Sequence, residues 1–368
     1  MADYAAVNGV AAANIEKVNG VAKASVQAVN GATTPSSGAE KWGLAADNAG
    51  IGYASTSDLT SWTTYVTESS ESTDYKTIAY GKDGSGNPLW VVGWSEGDQE
   101  LMYSSDITNT SGFSDVNLSP NKTIQSVHWG NNVWIAVGQM SGTDNKTILR
   151  STDGSSWSAI DVSSIDSGSV TTDNVKSVCS DGAGNWLFSQ KDRLYKSTDN
   201  GSNWTLAIDF ADAGINEIKD IQYTNSTWVV LLHRSSGGAG SGPYVRTAAS
   251  SDVTDWSAEQ DVNVGSSIER FACGDGKCLF VYSNDHQLAT VSGKTCTLAT
   301  YTANQLTSSI LNVATDGSGT FVAVGNSGDI EVTTDNGSNW TQTVDGLDQP
   351  GTTNVKLRDV AAAVYLPV

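Results

Sequence analysis

The chain reads as an all-β protein, a seven-bladed β-propeller, and three features of the sequence predict it. A strand-rich unit recurs at roughly 40–50 residues, the spacing of propeller blades. A Ser/Thr-x-Asp turn that ends on an aromatic residue recurs with the unit. The first and last units are incomplete in complementary ways, as a ring sealed by its own ends requires.

The third unit serves as the template. Residues 123–129 alternate like an extended strand, Gly130-Asn131-Asn132 makes a tight turn, and residues 133–138 form a nearly continuous apolar strand. A polar loop, a third strand at 147–151, the Asp turn and a fourth strand from Trp157 complete it. Four strands joined by short hairpins make a meander sheet. Its apolar second strand must be covered on both faces, which radial stacking of twisted sheets achieves. Units two, four, five, six and seven align on this one, with second strands at 89–93, 185–188, 228–231, 278–281 and 321–325. The first unit opens on a second strand at 41–46 and lacks a first, while residues 354–360 match a first strand without a unit. The C-terminal strand is therefore expected to complete the N-terminal blade and remove the exposed edges.

The Asp turns are predicted as structural elements. Asp153 with Trp157, Asp199 with Trp204 and Asp335 with Trp340 are the full copies. Asp58 with Trp62, Asp106 with Phe113 and Asp252 with Trp256 are looser, and the sixth unit has lost its turn. An Asp or Ser heading a turn accepts bonds from amides two or three residues on. The following aromatic ring is expected to pack between blades. These turns resemble the Asp-box of sialidase-type and related propellers, and the resemblance implies a fold element away from any active centre. A sialidase needs an arginine cluster, a Tyr/Glu pair and an acid/base Asp. This chain has six arginines, of which Arg150 and Arg246 are read as occupying equivalent places in the repeat. No catalytic residue, cofactor or metal site is assigned. His128, His233 and His286 fall in different units without metal-ligand spacing.

Acids outnumber bases 40 to 20, and the formal charge of −20 disfavours nucleic acid. No apolar run approaches a membrane span, and the start lacks the pattern of a secretory leader. Cys273 and Cys278 could face one another across a hairpin, but a reducing cytosol favours free thiols.

Residues 1–38 form a separate arm and hinge, and residues 39–368 form the ring. Val-Asn-Gly recurs at residues 7, 18 and 29, and Tyr4, Ile15 and Val26 keep the same register upstream. Each Ala-rich period is read as a short helical turn closed by a left-handed cap, or as irregular chain. Tyr4, Val7, Ile15, Val18, Val26 and Val29 make an apolar stripe too small to bury itself. It is expected to dock on a neighbouring copy, a larger assembly or the ring. The Val-Asn-Gly-Val repeats look like N-terminal segments of structural proteins from tailed bacteriophages of marine and cyanobacterial hosts. That resemblance implies a virion component assembled in the host cytoplasm. Its arm would bind other virion proteins, and its ring would decorate the particle or attach to a host-surface glycan. Long loops at 94–99, 139–146 and 234–243 are candidate contact segments. Photosystem-type assembly propellers are the alternative, but they carry leaders and a basic patch that this sequence does not display. A sialidase-like glycosidase is the third reading.

Overall fold

The computed structural model describes residues 6–7, 10–11, 17–18, 21–22, 28–29 and 32–33 near the N-terminus. From 41 to 363 it describes all but 49, 67–73, 96–98, 110, 119–121, 141–147, 163–164, 166–174, 211–213, 235–241, 263–267, 269, 301–305, 307–308 and 348–354. Two compact units result, Met1–Glu40 and Lys41–Val368.

The helical reading of the first unit is corrected. Ala6–Val7 pairs antiparallel with Val10–Ala11, Lys17–Val18 with Val21–Ala22, and Ala28–Val29 with Ala32–Thr33. Each pairing flanks one Asn-Gly in the sequence, with Val7 opposite Val10 and Val18 opposite Val21. Asn-Gly flanked by β-branched residues is the strongest short hairpin signal, because both loop positions of a type I′ turn need φ > 0. A Gly every eleven residues also leaves too little chain to repay helix nucleation. Tyr4, Ile15 and Val26 lie outside the described residues, as do most of the loops at 94–99, 139–146 and 234–243.

The second unit is a ring of seven antiparallel four-stranded sheets. The innermost strands are Leu357–Ala362 in blade 1, then Asp74–Lys82, Lys122–Gly130, Val175–Ser180, Glu217–Thr224, Phe271–Gly274 and Ile310–Thr315 in blades 2 to 7. Blade 1 is completed by Lys41–Ala46, Gly50–Ser55 and Asp58–Val66, so the C-terminal strand closes the N-terminal sheet. Val360 lies opposite Leu44 and Ala362 opposite Trp42. The ladder extends into Ala363, whose N–H donates to the Lys41 carbonyl at 2.6 Å. Two-residue turns of left-handed residues join first to second strands where the sequence allows it: Asn131-Asn132 in blade 3 and Asn225-Ser226 in blade 5.

Seven apolar clusters fill the spaces between blades. The second strands carry them, as in Trp186–Gln190 and Phe321–Gly325, where every residue is buried. Five fully buried tryptophans, Trp42, Trp90, Trp134, Trp186 and Trp228, occupy one repeated position on these strands. Blade 7 has Phe321 there and blade 6 has Cys278.

Blade 6 also overturns the free-thiol expectation. Cys273 and Cys278 are register partners across its inner hairpin and form a disulfide, with Cα atoms 4.1 Å apart. Compartment arguments act on averages, whereas two cysteines held directly opposite on paired strands are within bonding reach by construction. Cys179 and Cys296 are free and buried.

Candidate functional site

The Asp turns lie at the third-to-fourth strand corners, spread round the ring rather than gathered at one place. In blade 4 Asp199 accepts from the amides of Ser202 and Asn203 at 3.1 and 2.8 Å, and from Asn203 Nδ2 at 2.6 Å. Asp153 and Asp335 are held in the same way by Ser155, Ser156 and Asn339. Asp58, Asp106 and Asp252 each accept from the amide and hydroxyl of the Thr two residues on. Bonds from Asn339 lower the Asp335 pKa to about 2. The indole N–H groups of Trp62, Trp157, Trp204 and Trp256 each donate to the carbonyl three residues back, closing the turn. Trp204 is buried between blades 3 and 4, whereas Trp62, Trp157, Trp256, Trp340 and Phe113 are partly buried against other inter-blade clusters. Gly201 carries φ +77°, and a Cβ there would meet Ile135 Cδ1 of blade 3 at 2.6 Å, so the turn sits tightly on the preceding blade.

The equivalence of Arg150 and Arg246 does not hold. Arg150 faces Ile135 one residue before Ser151, while Arg246 faces Val230 two residues before the corresponding Ala248. One residue of offset sends the side chains to opposite faces of the sheet. Arg150 Nε bonds the Asn200 carbonyl of blade 4, whereas Arg246 shares Glu259 with Arg234 at 2.7 Å each.

The feature that gathers residues from all seven blades is the central channel, a cavity of about 640 Å³ lined by the innermost strands. Most of these strands bulge near their start, at Lys76, Gln125, Lys219, Leu311 and Arg358 among others. The bulge turns the next residue towards the axis. That position holds Thr77, Ser126, Ser177, Asp220, Arg270, Asn312 and Asp359, six short polar side chains and one arginine, all lining the cavity.

The short side chains are joints between blades. Thr77 Oγ1 accepts from the Val127 amide, Ser177 Oγ from that of Ile221, Asp220 Oδ2 from that of Phe271, and Asp359 Oδ2 from that of Ile78. Asn312 Nδ2 donates to Asp359 Oδ1 at 2.8 Å, so the closing strand is tied to both neighbours. Arg270 instead reaches across the axis. Its guanidinium donates to the Lys219, Lys176 and Gln125 carbonyls at 3.0, 3.3 and 3.5 Å and lies 3.7 Å from Asp220. Cavity lining continues from this level towards Lys82, Asn131 and Gly182 at the far ends of the strands. Arg270 thus spans from blade 6 to blades 3, 4 and 5 as the floor of the lined cavity, whose other end lies at the first-to-second strand turns.

Burial raises the pKa of Asp220 and pushes that of Asp359 up to about 6, against the opposing pull of Arg270 and the amide donors. Burial also lowers His128, in the wall, to about 4. Nearer the mouth one ring of residues reads Tyr80, Trp129, Ser180, Tyr223, Cys273, Thr315 and Ala362. Aromatic rings therefore stand in blades 2, 3 and 5, and small side chains in blades 4, 6, 7 and 1.

Outside the floor, cations dispersed in sequence converge on the bulges. Lys176 and Lys219 share Glu217, and Arg358 pairs with Asp47 and lies near Asp74, which also binds Lys76. Four cations there, Lys76, Lys176, Lys219 and Arg358, are paired with three acids, Asp47, Asp74 and Glu217. None of the floor residues was singled out from the sequence. Their signal was available: stacking the repeats puts an arginine where the other units have a short polar residue.

No family model and no curated protein matches the chain. Among solved structures it is similar to YCF48 bound to a D1 peptide, at 14% identity over 78% of this chain and 89% of that one, with a TM-score of 0.53. YCF48 from Cyanidioschyzon merolae gives 15%, 73%, 85% and 0.52. An ancestral GH74 enzyme gives 18% identity and a TM-score of 0.52, over 86% of this chain and 47% of that one. At these identities the likeness is one of fold.

Proposed function

We propose that the chain is a non-catalytic recognition propeller that holds a projecting part of a partner in its central well. The observation that carries this reading is the state of the well's carboxylates. Asp220 accepts from Ser177 Oγ and two amides, and Asp359 accepts from Asn312 Nδ2 and two amides. Acids committed to holding blades together are poorly suited to moving protons on a substrate. Aromatic walls and convergent polar groups in a preformed concavity are what a binding site needs. The neighbour YCF48, solved with a D1 peptide, is a propeller of this fold in complex with a peptide.

We place this propeller on a tailed-phage particle, with the three Asn-Gly hairpins of residues 1–38 as the anchor to other virion proteins. Hairpins of two-residue strands are marginal alone and gain stability by pairing or packing onto a partner. A cellular assembly role is the second reading, favoured by the 89% coverage of YCF48.

One set of particles tests the proposal. Mass spectrometry of purified virions should detect the chain, and Ser126→Trp, which fills the well floor, should incorporate normally yet slow adsorption to host cells at least tenfold. Absence from virions refutes the particle placement, and unchanged adsorption refutes the well. Turnover of fluorogenic sialosides or β-glucan oligosaccharides that disappears in Asp220→Asn would overturn the non-catalytic reading.

A further inference from the structure

Blade 6 departs from the other blades at one buried position of its third strand. Three residues after the repeated tryptophan position stand Ala45, Gly93, Val137, Ser189, Leu231, Val281 and Val324 in blades 1 to 7. Their register partners on the third strands are Ile51, Leu101, Ile148, Leu194, Val245, His286 and Ile330. The six aliphatic residues of this set are all 0% exposed, and His286 is 9% exposed. A titratable ring thus sits in a slot that every other blade fills with hydrocarbon. Such burial costs stability unless the polar atoms are bonded.

One nitrogen of that ring is not bonded. His286 Nδ1 is buried without a partner among the described residues, and so is the indole Nε1 of Trp340 in blade 7. The two rings have centroids 5.6 Å apart. The orphaned indole is itself an exception. In blades 1, 3, 4 and 5 the Asp-turn tryptophan donates to the carbonyl three residues back, which in blades 3 and 4 belongs to Gly154 and Gly201. Gly337 is the equivalent residue of blade 7, and its carbonyl takes a bond from His286 instead. A Cβ on Gly337 would stand 3.8 and 3.9 Å from His286 Cδ2 and Nε2, so that edge of the imidazole lies on the turn. Two donors from two blades compete for one acceptor at the seam between blades 6 and 7.

We propose that this seam is an acid-driven latch: neutral His286 holds the Gly337 carbonyl, and protonation releases it to Trp340, which then closes its turn as the other four tryptophans do. In the imidazolium both ring nitrogens are donors. The one on Nδ1 has no acceptor in the seam, so the charged ring gains by leaving for solvent. The charged groups on the elements packed there are Lys277 and Asp285 in blade 6 and Glu331 and Asp335 in blade 7. Burial holds His286 below its ordinary value of 6.5, against the smaller opposing pulls of the Gly337 carbonyl and Asp285. A histidine depressed in this way keeps its neutral, bonded form above pH 6.5 and loses it as pH falls through the folded value. The latch lies at a third-to-fourth strand corner and works whatever the well holds.

NMR of the full chain labelled at its tryptophan indole nitrogens reads the exchange directly. As pH falls from about 8 to about 5, the Trp340 indole proton should move to the bonded position of Trp157 and Trp204, whose own signals should stay in place. His286→Leu restores the residue type of the other blades. It should lock Trp340 in the bonded position at both pH values and raise the thermal midpoint at low pH by at least about 2 °C. Asp285→Asn, which removes a charge favouring the imidazolium, should move the Trp340 transition to lower pH. A Trp340 signal that ignores pH while the ring stays folded would overturn the latch. So would an equal titration of Trp340 in His286→Leu, because another group would then drive it. Loss of all indole signals together would mean that acid opens the whole ring rather than one seam, and would also overturn the proposal.

Discussion

Blades 5 and 6 are neighbours on one plan, yet they close their inner hairpins by different means. In blade 5 Tyr223 and Trp228 lie opposite one another, with ring centroids 4.8 Å apart, and Trp228 fills the space between blades. In blade 6 the same two positions are Cys273 and Cys278, and a covalent bond stands where the ring pair would be. Blade 6 has also lost the Asp turn, its outer hairpin running from Ser292 to Thr295 through Gly293-Lys294. Asp220 of blade 5 clips the Phe271 amide of blade 6, but Arg270 of blade 6 spends its donors on carbonyls of blades 3, 4 and 5. The blade that lacks both the ring pair and the Asp turn carries the disulfide and supplies Arg270. The lesson is that a ring tolerates local decay when another interaction restores the same closure.

The comparison breaks most severely at the ring pair. Trp228→Ala should cost about 3–5 kcal/mol in denaturant unfolding, the range for deleting a large buried aromatic. Trp228→Phe should cost far less, because the buried indole N–H of Trp228 has no acceptor among the described residues, whereas that of Trp134 bonds the Lys82 carbonyl at 2.8 Å. If Trp228→Ala proves neutral, the apolar seam does not hold these blades.

Arg270→Met comes next, at about 3 kcal/mol near pH 8, since it leaves two buried carboxylates without their cation. The sign follows from Asp359. Its folded pKa of about 6 lies above the ordinary carboxylate value of 3.8. Its contribution to stability is therefore fully present below about pH 4 and is lost as pH rises through 6. Removing Arg270 raises that pKa further, so the deficit should shrink as pH falls from 8 to 5. A deficit independent of pH would mean that Arg270 acts by packing alone. Asp359→Asn should flatten the same pH dependence in the parent protein.

Opening the staple sharpens the contrast at a smaller scale. Cys273→Ser with Cys278→Ser should cost about 2 kcal/mol by the entropy of so short a loop. Dithiothreitol should lower the thermal midpoint of the parent protein but not that of the double variant. The smallest effect is expected at the turns. Asp199→Ala in blade 4 should cost about 1 kcal/mol for the lost amide bonds, and Lys294→Ala at the matching corner of blade 6 should cost nothing measurable.

Much of this architecture was legible before any coordinates. Seven units, the buried second strands and the C-terminal strand beside Trp42 follow from alternation, turn residues and two complementary incomplete ends. The first unit is ambiguous in sequence because Asn-Gly serves both helix caps and hairpins, and only the β-branched residues beside it decide for hairpins. Spacing alone leaves Cys273 and Cys278 either free or paired, and the strand register that sets them opposite one another decides for the bond. The well floor has no local signature. Arg270, Asp220 and Asp359 stand in three separate units, and each looks like an ordinary strand residue in its own.

By itself the sequence determined the strand period, the number of sheets and the order in which they close, because those properties depend on neighbours a few residues apart and on where the chain starts and stops repeating. Only the tertiary structure decided which residues meet on the axis. That depends on the bulge that turns each inner strand and on the ring bringing seven such strands to a common centre. There Arg270 crosses part of the channel to carbonyls of three other blades, with Asp220 beside it.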